Sequence, residues 1–151
     1  MLKNDIEVTQ IQKACDITEI GFRRVLDFIE PGVWEYEIEA EYSHEFLNNR
    51  SKGFAYQPII ASGINSCCLH YNTNNMQCKD GEMVLMDVGS EYANYRSDMT
   101  RTVPINGKFS KRQLQIYNAV LNVKNEANKI LRPGTSICLL YTSPSPRDAT
   151  L

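Results

Sequence analysis

The stretch MVLMDVGSEYANYRSDMTRTVP constrains this chain more than any other, because it asks a strand built on a continuous apolar run to end in a carboxylate. Met83 to Met86 form the run and Asp87 follows directly. Burying an unpartnered charge costs on the order of several kcal/mol, so Asp87 must be paired, hydrogen-bonded, protonated or bound to a cation. A second carboxylate, Asp98, stands across the hairpin that this stretch predicts. A two-residue loop at Tyr92-Ala93 sets the aspartates opposite one another, and a four-residue loop makes them diagonal neighbours. In both arrangements they share a face. Opposed Cβ atoms lie about 4.5–5.5 Å apart, and hydrolytic two-metal sites hold their ions about 3.5–4 Å apart. Two acids sharing two ions fit this spacing. So does a turn cap, or an ion pair with Arg96 or Arg101.

The periodicity around this hairpin is that of a mixed helix and sheet domain. Apolar residues recur at helical spacing from Asn4 to Ile29 (Ile11, Ala14, Cys15, Phe22, Val25, Leu26, Ile29), with Asn4 placed to cap and Glu7 to complete the capping box. Glu30-Pro31-Gly32 ends that helix, and a second runs from Glu35 to Asn48 with Ile38, Tyr42 and Phe46 on one face. Strands are predicted at Ala55 to Ala61, Cys67 to Tyr71, Met83 to Gly89 and Arg96 to Pro104. Ser110 caps a third helix, Gln113 to Leu131, closed by Arg132-Pro133-Gly134. Residues 138–151, with two Ser-Pro pairs and no buriable face, are expected to be a tail foreign to the domain, disordered or artefactual in origin.

At 151 residues, with 42% hydrophobic and 23% charged side chains, the chain has the balance of one globular domain. A formal net charge of -2 and dispersed Lys and Arg leave no footprint for nucleic acid or an anionic membrane, and both are excluded as expected partners. With no secretory pattern and no long apolar run, a cytoplasmic location is expected. Cys15, Cys67, Cys68, Cys78 and Cys138 show no zinc spacing and are expected as reduced, buried packing residues. His44 is expected on the surface of the second helix, and on local pattern alone His70 is a packed or surface residue.

The segment LMDVGSEYANYRSDMTRTVPINGKF resembles the part of Xaa-Pro aminopeptidases and prolidases, metallopeptidase family M24, that carries their first two metal ligands. The similarity extends through IQKACDITEIGFRRVLDFIEPG, YQPIIASGINSCCLHY and LRPGTSI, covering residues 5 to 137. The resemblance implies an α+β partial pita-bread fold, a curved antiparallel sheet with flanking helices, in which residues 1–137 are the N-terminal half of the catalytic domain. By position, Asp87 resembles the first metal aspartate and Asp98 the aspartate that bridges two ions, with Thr100 close behind them. His70, in SGINSCCLHY, resembles the histidine that lies beside the metals and contacts substrate. Tyr56 and the Ser62-Gly63 turn lie in the matched region as candidates to line the pocket, but strand packing and turn geometry explain them equally well, and they stay outside the expected site.

The implied reaction is hydrolysis of the bond between an N-terminal residue and a following proline, with two divalent ions, manganese in most members, and homodimers common at full length. The family site also needs one His and two Glu from the second half, and no glutamate follows Glu126 here. The chain as written is therefore expected to be inactive alone. Two other readings share the fold: a creatinase-like, metal-independent hydrolase, which would lack the paired aspartates, and a non-catalytic protein-binding module, whose ligands would be eroded.

Overall fold

The computed structural model describes residues 2–141, and the chain divides into two units between Lys108 and Phe109. In the first unit α1 (Asp5–Phe28) and α2 (Glu35–Asn48) precede six short strands: β1 (Gly53–Phe54), β2 (Ile59–Ser62), β3 (Met83–Val88), β4 (Ser90–Tyr92), β5 (Tyr95–Arg96) and β6 (Met99–Pro104). The strands make two antiparallel three-stranded sheets, ordered β1-β4-β5 and β2-β3-β6. The second unit holds α3 (Lys111–Ile130) and α4 (Ile137–Tyr141).

The helix starts follow local chemistry. Asn4 Oδ1 accepts from the Glu7 N–H at 2.9 Å while Glu7 Oε2 accepts from the Asn4 N–H at 2.8 Å, the reciprocal box expected there. Ser110 and Gln113 build the same box for α3, two residues earlier than the periodicity placed its start. The buried stripe of α1 is Ala14, Ile17, Thr18, Gly21 and Val25. Two expected members, Cys15 and Leu26, are exposed instead. The stripe rotates because α1 packs closely on α2: a Cβ on Gly21 would stand 3.0 Å from Tyr42 and 3.1 Å from Phe46, so glycine is what lets the helices meet.

Ile17, Val25, Ile38, Tyr42 and Phe46 from the helices close on Ile60, Val84, Met86 and Val88 from the strands. Along β3 burial alternates, with Val84, Met86 and Val88 in the core and Leu85 and Asp87 half-buried on the other face. The continuous apolar run is thus a one-sided strand among the described residues, because β3 has helices against one face only.

Two strand expectations change. Of Ala55 to Ala61 only Ile59 to Ala61 is strand, in β2; Ala55 and Tyr56 bend away after β1, which belongs to the other sheet, and Pro58, which has no N–H for a ladder, precedes β2. Cys67 to Tyr71 is not a strand: a 3-10 turn covers Gly63–Cys67, and His70 follows with φ 54. Four of the five cysteines are exposed, and only Cys78 is buried, where burial pushes its thiol up to about 11. The expected tail begins inside α4, and its remaining residues, 142–151, lie outside the described residues.

Candidate functional site

The hairpin is one ribbon that passes from one sheet to the other in a single register. β3 and β6 pair from Met83↔Pro104 to Val88↔Met99, and β4 and β5 continue with Glu91↔Arg96 and Tyr92↔Tyr95. Its two-residue loop is Ala93-Asn94, with φ 51 and 66, the left-handed pair of a tight primed turn. That loop sits one residue beyond the Tyr92-Ala93 expectation. Asp87 therefore faces Thr100 across the ladder, and Asp98 is its diagonal neighbour rather than its direct opposite.

The ribbon is pinched between the two sheets, next to Asp98. A Cβ on Gly89 would lie 2.0 Å from the Ser97 carbonyl oxygen, so only glycine permits the approach. A buried hydroxyl knot fastens α1 to the same point: Ser97 Oγ is 2.6 Å from Thr18 Oγ1, and the Ser90 N–H donates to both, at 2.9 and 3.0 Å. The Ser90 hydroxyl donates to the Ala14 carbonyl at 2.8 Å. Asp98 leaves this knot outside any strand, with its carboxylate exposed.

The two carboxylates meet at Tyr56. Its hydroxyl is 2.6 Å from Asp87 Oδ1 and 3.1 Å from Asp98 Oδ1. Burial, and then the hydrogen bonds and charges of the two aspartates, hold that hydroxyl protonated far above the ordinary tyrosine range. Among the described residues no arginine supplies the countercharge. The Arg96 guanidinium goes to Glu91 at 3.4 Å, and Arg101 donates to the Thr100 carbonyl at 2.8 Å. Among the described residues neither aspartate has a salt bridge, so the ion-pair explanation of their spacing does not describe this fold.

Asp87, Asp98 and Tyr56 share the walls of a cleft of about 370 Å³ with Gln57, Ile59, His70 and Asn72. His70, named from the sequence, thus reaches the same cleft as the aspartates from another part of the chain. Thr100 is brought beside Asp87 by the ladder. His44 lies elsewhere, exposed on α2 and within 3.3 Å of Asn48. Tyr56 is the residue that sequence reasoning left out; the nearest signal for it was a tyrosine just ahead of a proline-broken strand.

Two carboxylates oriented by a neutral donor and lacking a cationic partner form a hard-oxygen donor pair suited to divalent metal. Among the described residues no cluster of three or more His, Cys, Asp or Glu side chains could hold a metal ion. The pair fits as part of a ligand set.

Comparison with known proteins agrees with this geometry. The sequence pattern of metallopeptidase family M24 matches residues 9–143. The chain is 39% identical to the Xaa-Pro aminopeptidase of Escherichia coli over 91% of its own length and 31% of the relative's. It is 36% identical to human Xaa-Pro aminopeptidase 3, over 94% of this chain and 28% of that one. Among solved structures, an Escherichia coli aminopeptidase P variant in complex with substrate superposes with a TM-score of 0.88 at 39% identity, covering 92% of this chain and 32% of that chain. Proline aminopeptidase P II from Yersinia pestis superposes with a TM-score of 0.88 at 38% identity over the same shares. The chain spans about a third of the length of these relatives, and the α+β partial pita-bread architecture is the fold it shares with them.

Proposed function

This chain belongs to metallopeptidase family M24, and from that premise we propose that it contributes Asp87, Asp98 and His70 to a dinuclear-metal aminopeptidase cleaving between an N-terminal residue and proline. The observation that carries the proposal is the convergence of Asp87 and Asp98 on one tyrosine hydroxyl, with no basic side chain among the described residues pairing either. The relatives named Xaa-Pro aminopeptidase support the substrate class, a peptide with proline in second position. A relative solved in a zinc-substituted form supports divalent metal, and manganese is the ion proposed here.

Asp87 and Asp98 would hold the metal, whose chemistry when bound is to polarise the scissile carbonyl and activate water. The chain's own residues do the rest. Tyr56 shares its one hydroxyl proton between the two carboxylates, nearer to Asp87, and so ties them together at the cleft. His70, exposed on the cleft wall, offers an imidazole N–H to the oxygen that gains charge as the carbonyl becomes tetrahedral.

The test is cleavage of Xaa-Pro tripeptides by the full-length protein with added manganese, read alongside metal content. Turnover is expected with two bound ions, and His70→Ala should lower kcat by about a hundredfold or more with both ions retained. Retained turnover in that variant, or loss of its ions, would remove His70 from the chemistry. Cleavage that ignores proline in the second position would overturn the substrate assignment.

A further inference from the structure

We propose that Glu35 is a positioning residue for His70: a buried carboxylate on α2 that gathers both ends of the 62–76 loop and so sets where the imidazole stands beside Asp87 and Asp98. The inference rests on the functional reading above for what His70 does, and on geometry alone for how it is placed.

Glu35 is 0% exposed and has no salt bridge among the described residues, which makes it a costly group unless every lone pair is used. They are used, and all by one loop. Oε1 accepts from the Ser62 N–H at 2.7 Å, the Ser62 hydroxyl at 2.8 Å and the Asn65 amide at 3.2 Å. Oε2 accepts from the Tyr71 hydroxyl at 2.7 Å and the Met76 N–H at 2.9 Å. One carboxylate therefore ties the start, the middle and the end of the segment.

His70 needs such support because it has little of its own. Its side chain is exposed, makes no hydrogen bond among the described residues, and sits on a left-handed backbone with φ 54, uncommon for a residue with a side chain. Next door, Tyr71 reaches down to Glu35. One turn further along α2, Glu39 accepts at 2.8 Å from the amide of buried Asn74, whose own carbonyl oxygen accepts from the Ile60 N–H at 3.0 Å. The α2 face thus braces the loop at successive turns.

Glu35→Gln keeps the shape and replaces one acceptor oxygen with a donor, so that donors of the loop face a donor. In the full-length protein we expect amide exchange across 63–76 to rise at least tenfold, the His70 imidazole resonances to shift, and metal content to stay unchanged. Turnover should fall by about tenfold to a hundredfold in kcat, with KM changed less. In a His70→Ala background the same substitution should lower turnover no further, because the group being positioned is gone. Tyr71→Phe, which leaves the other four hydrogen bonds intact, should shift the same imidazole resonances and decides the matter if Glu35→Gln does not fold. Unchanged exchange and imidazole resonances in both variants, or a Glu35→Gln loss that persists in full without His70, would overturn the proposal. If the wild-type protein cleaves no Xaa-Pro peptide, the functional reading fails while exchange and resonances still decide the clamp.

Discussion

The hairpin that carries Asp87 and Asp98 and the loop that carries His70 arrive at one cleft by opposite constructions. Six consecutive backbone pairs between β3 and β6 hold the hairpin, so Asp87 stands where the ladder puts it, whatever its neighbours are. Residues 63–76 have no ladder; beside one main-chain bond, from the Glu35 N–H to the Met76 carbonyl at 3.0 Å, they hang from the side chains of Glu35, Glu39 and Asn74. In the hairpin the main chain supplies the geometry and side chains are free to be chemistry. In the loop the geometry is itself a matter of side-chain identity, so a single conservative change can move the site.

The strongest way to sharpen this contrast is Asp98→Asn. Its side chain lies outside the ladder and the core, so stability should change by less than about 0.5 kcal/mol. Turnover should fall about a thousandfold or more, roughly 4 kcal/mol of barrier. Metal content and kcat/KM of the full-length protein check it, and two retained ions with normal turnover would show that the hairpin is only scaffold.

Gly89→Ala attacks the ladder instead. With only 2.0 Å available between the new Cβ and the Ser97 oxygen, the ribbon must open, at a cost of about 3 kcal/mol. An unchanged urea midpoint would mean that the pinch next to Asp98 is not tight in solution. Tyr56→Phe removes the donor that both carboxylates share. A loss of about tenfold to a hundredfold in metal affinity is expected, as for other groups that orient ligands. Titration with manganese measures it, and equal affinity would leave the aspartates self-sufficient.

The smallest effect concerns acid. Burial raises the Glu35 carboxyl, but the Ser62 and Met76 N–H groups and the Tyr71 and Ser62 hydroxyls outweigh it and bring the group below its ordinary value of 4.5. The unfolded chain then takes up the proton at higher pH than the folded one. The stability from this site is therefore complete above 4.5 and lost as pH falls through the lower folded value. Urea midpoints below pH 4.5 should fall less steeply for Glu35→Gln than for the wild type. Parallel curves would place the acid sensitivity elsewhere.

Much of this was legible in the residues. Asn4 with Glu7 announced one helix start and Ser110 alone announced another, placed two residues late, since a cap is a contact over three positions and needs no fold to form. The pattern around Asp87 and Asp98 announced a hairpin bearing two acids on one face. The loop register was not legible: Tyr92-Ala93 and Ala93-Asn94 both offer a turn, and one residue of slip changes which side chains oppose. Nor could Cys67 to Tyr71 be recognised as irregular, because its apolar residues read as a strand when Glu35, far back in the chain, is left out.

The division follows the range of the forces. Capping boxes, helix periodicity and the hairpin are interactions between near neighbours in the chain, so the amino-acid order alone determined them. The meeting of Tyr56 with both aspartates, the tie between Thr18 of α1 and Ser97, and the capture of the His70 loop by α2 join groups tens of residues apart. Only the packing of α1 and α2 against the strands brings those groups within hydrogen-bond reach, and buried charge left without such partners would not be tolerated.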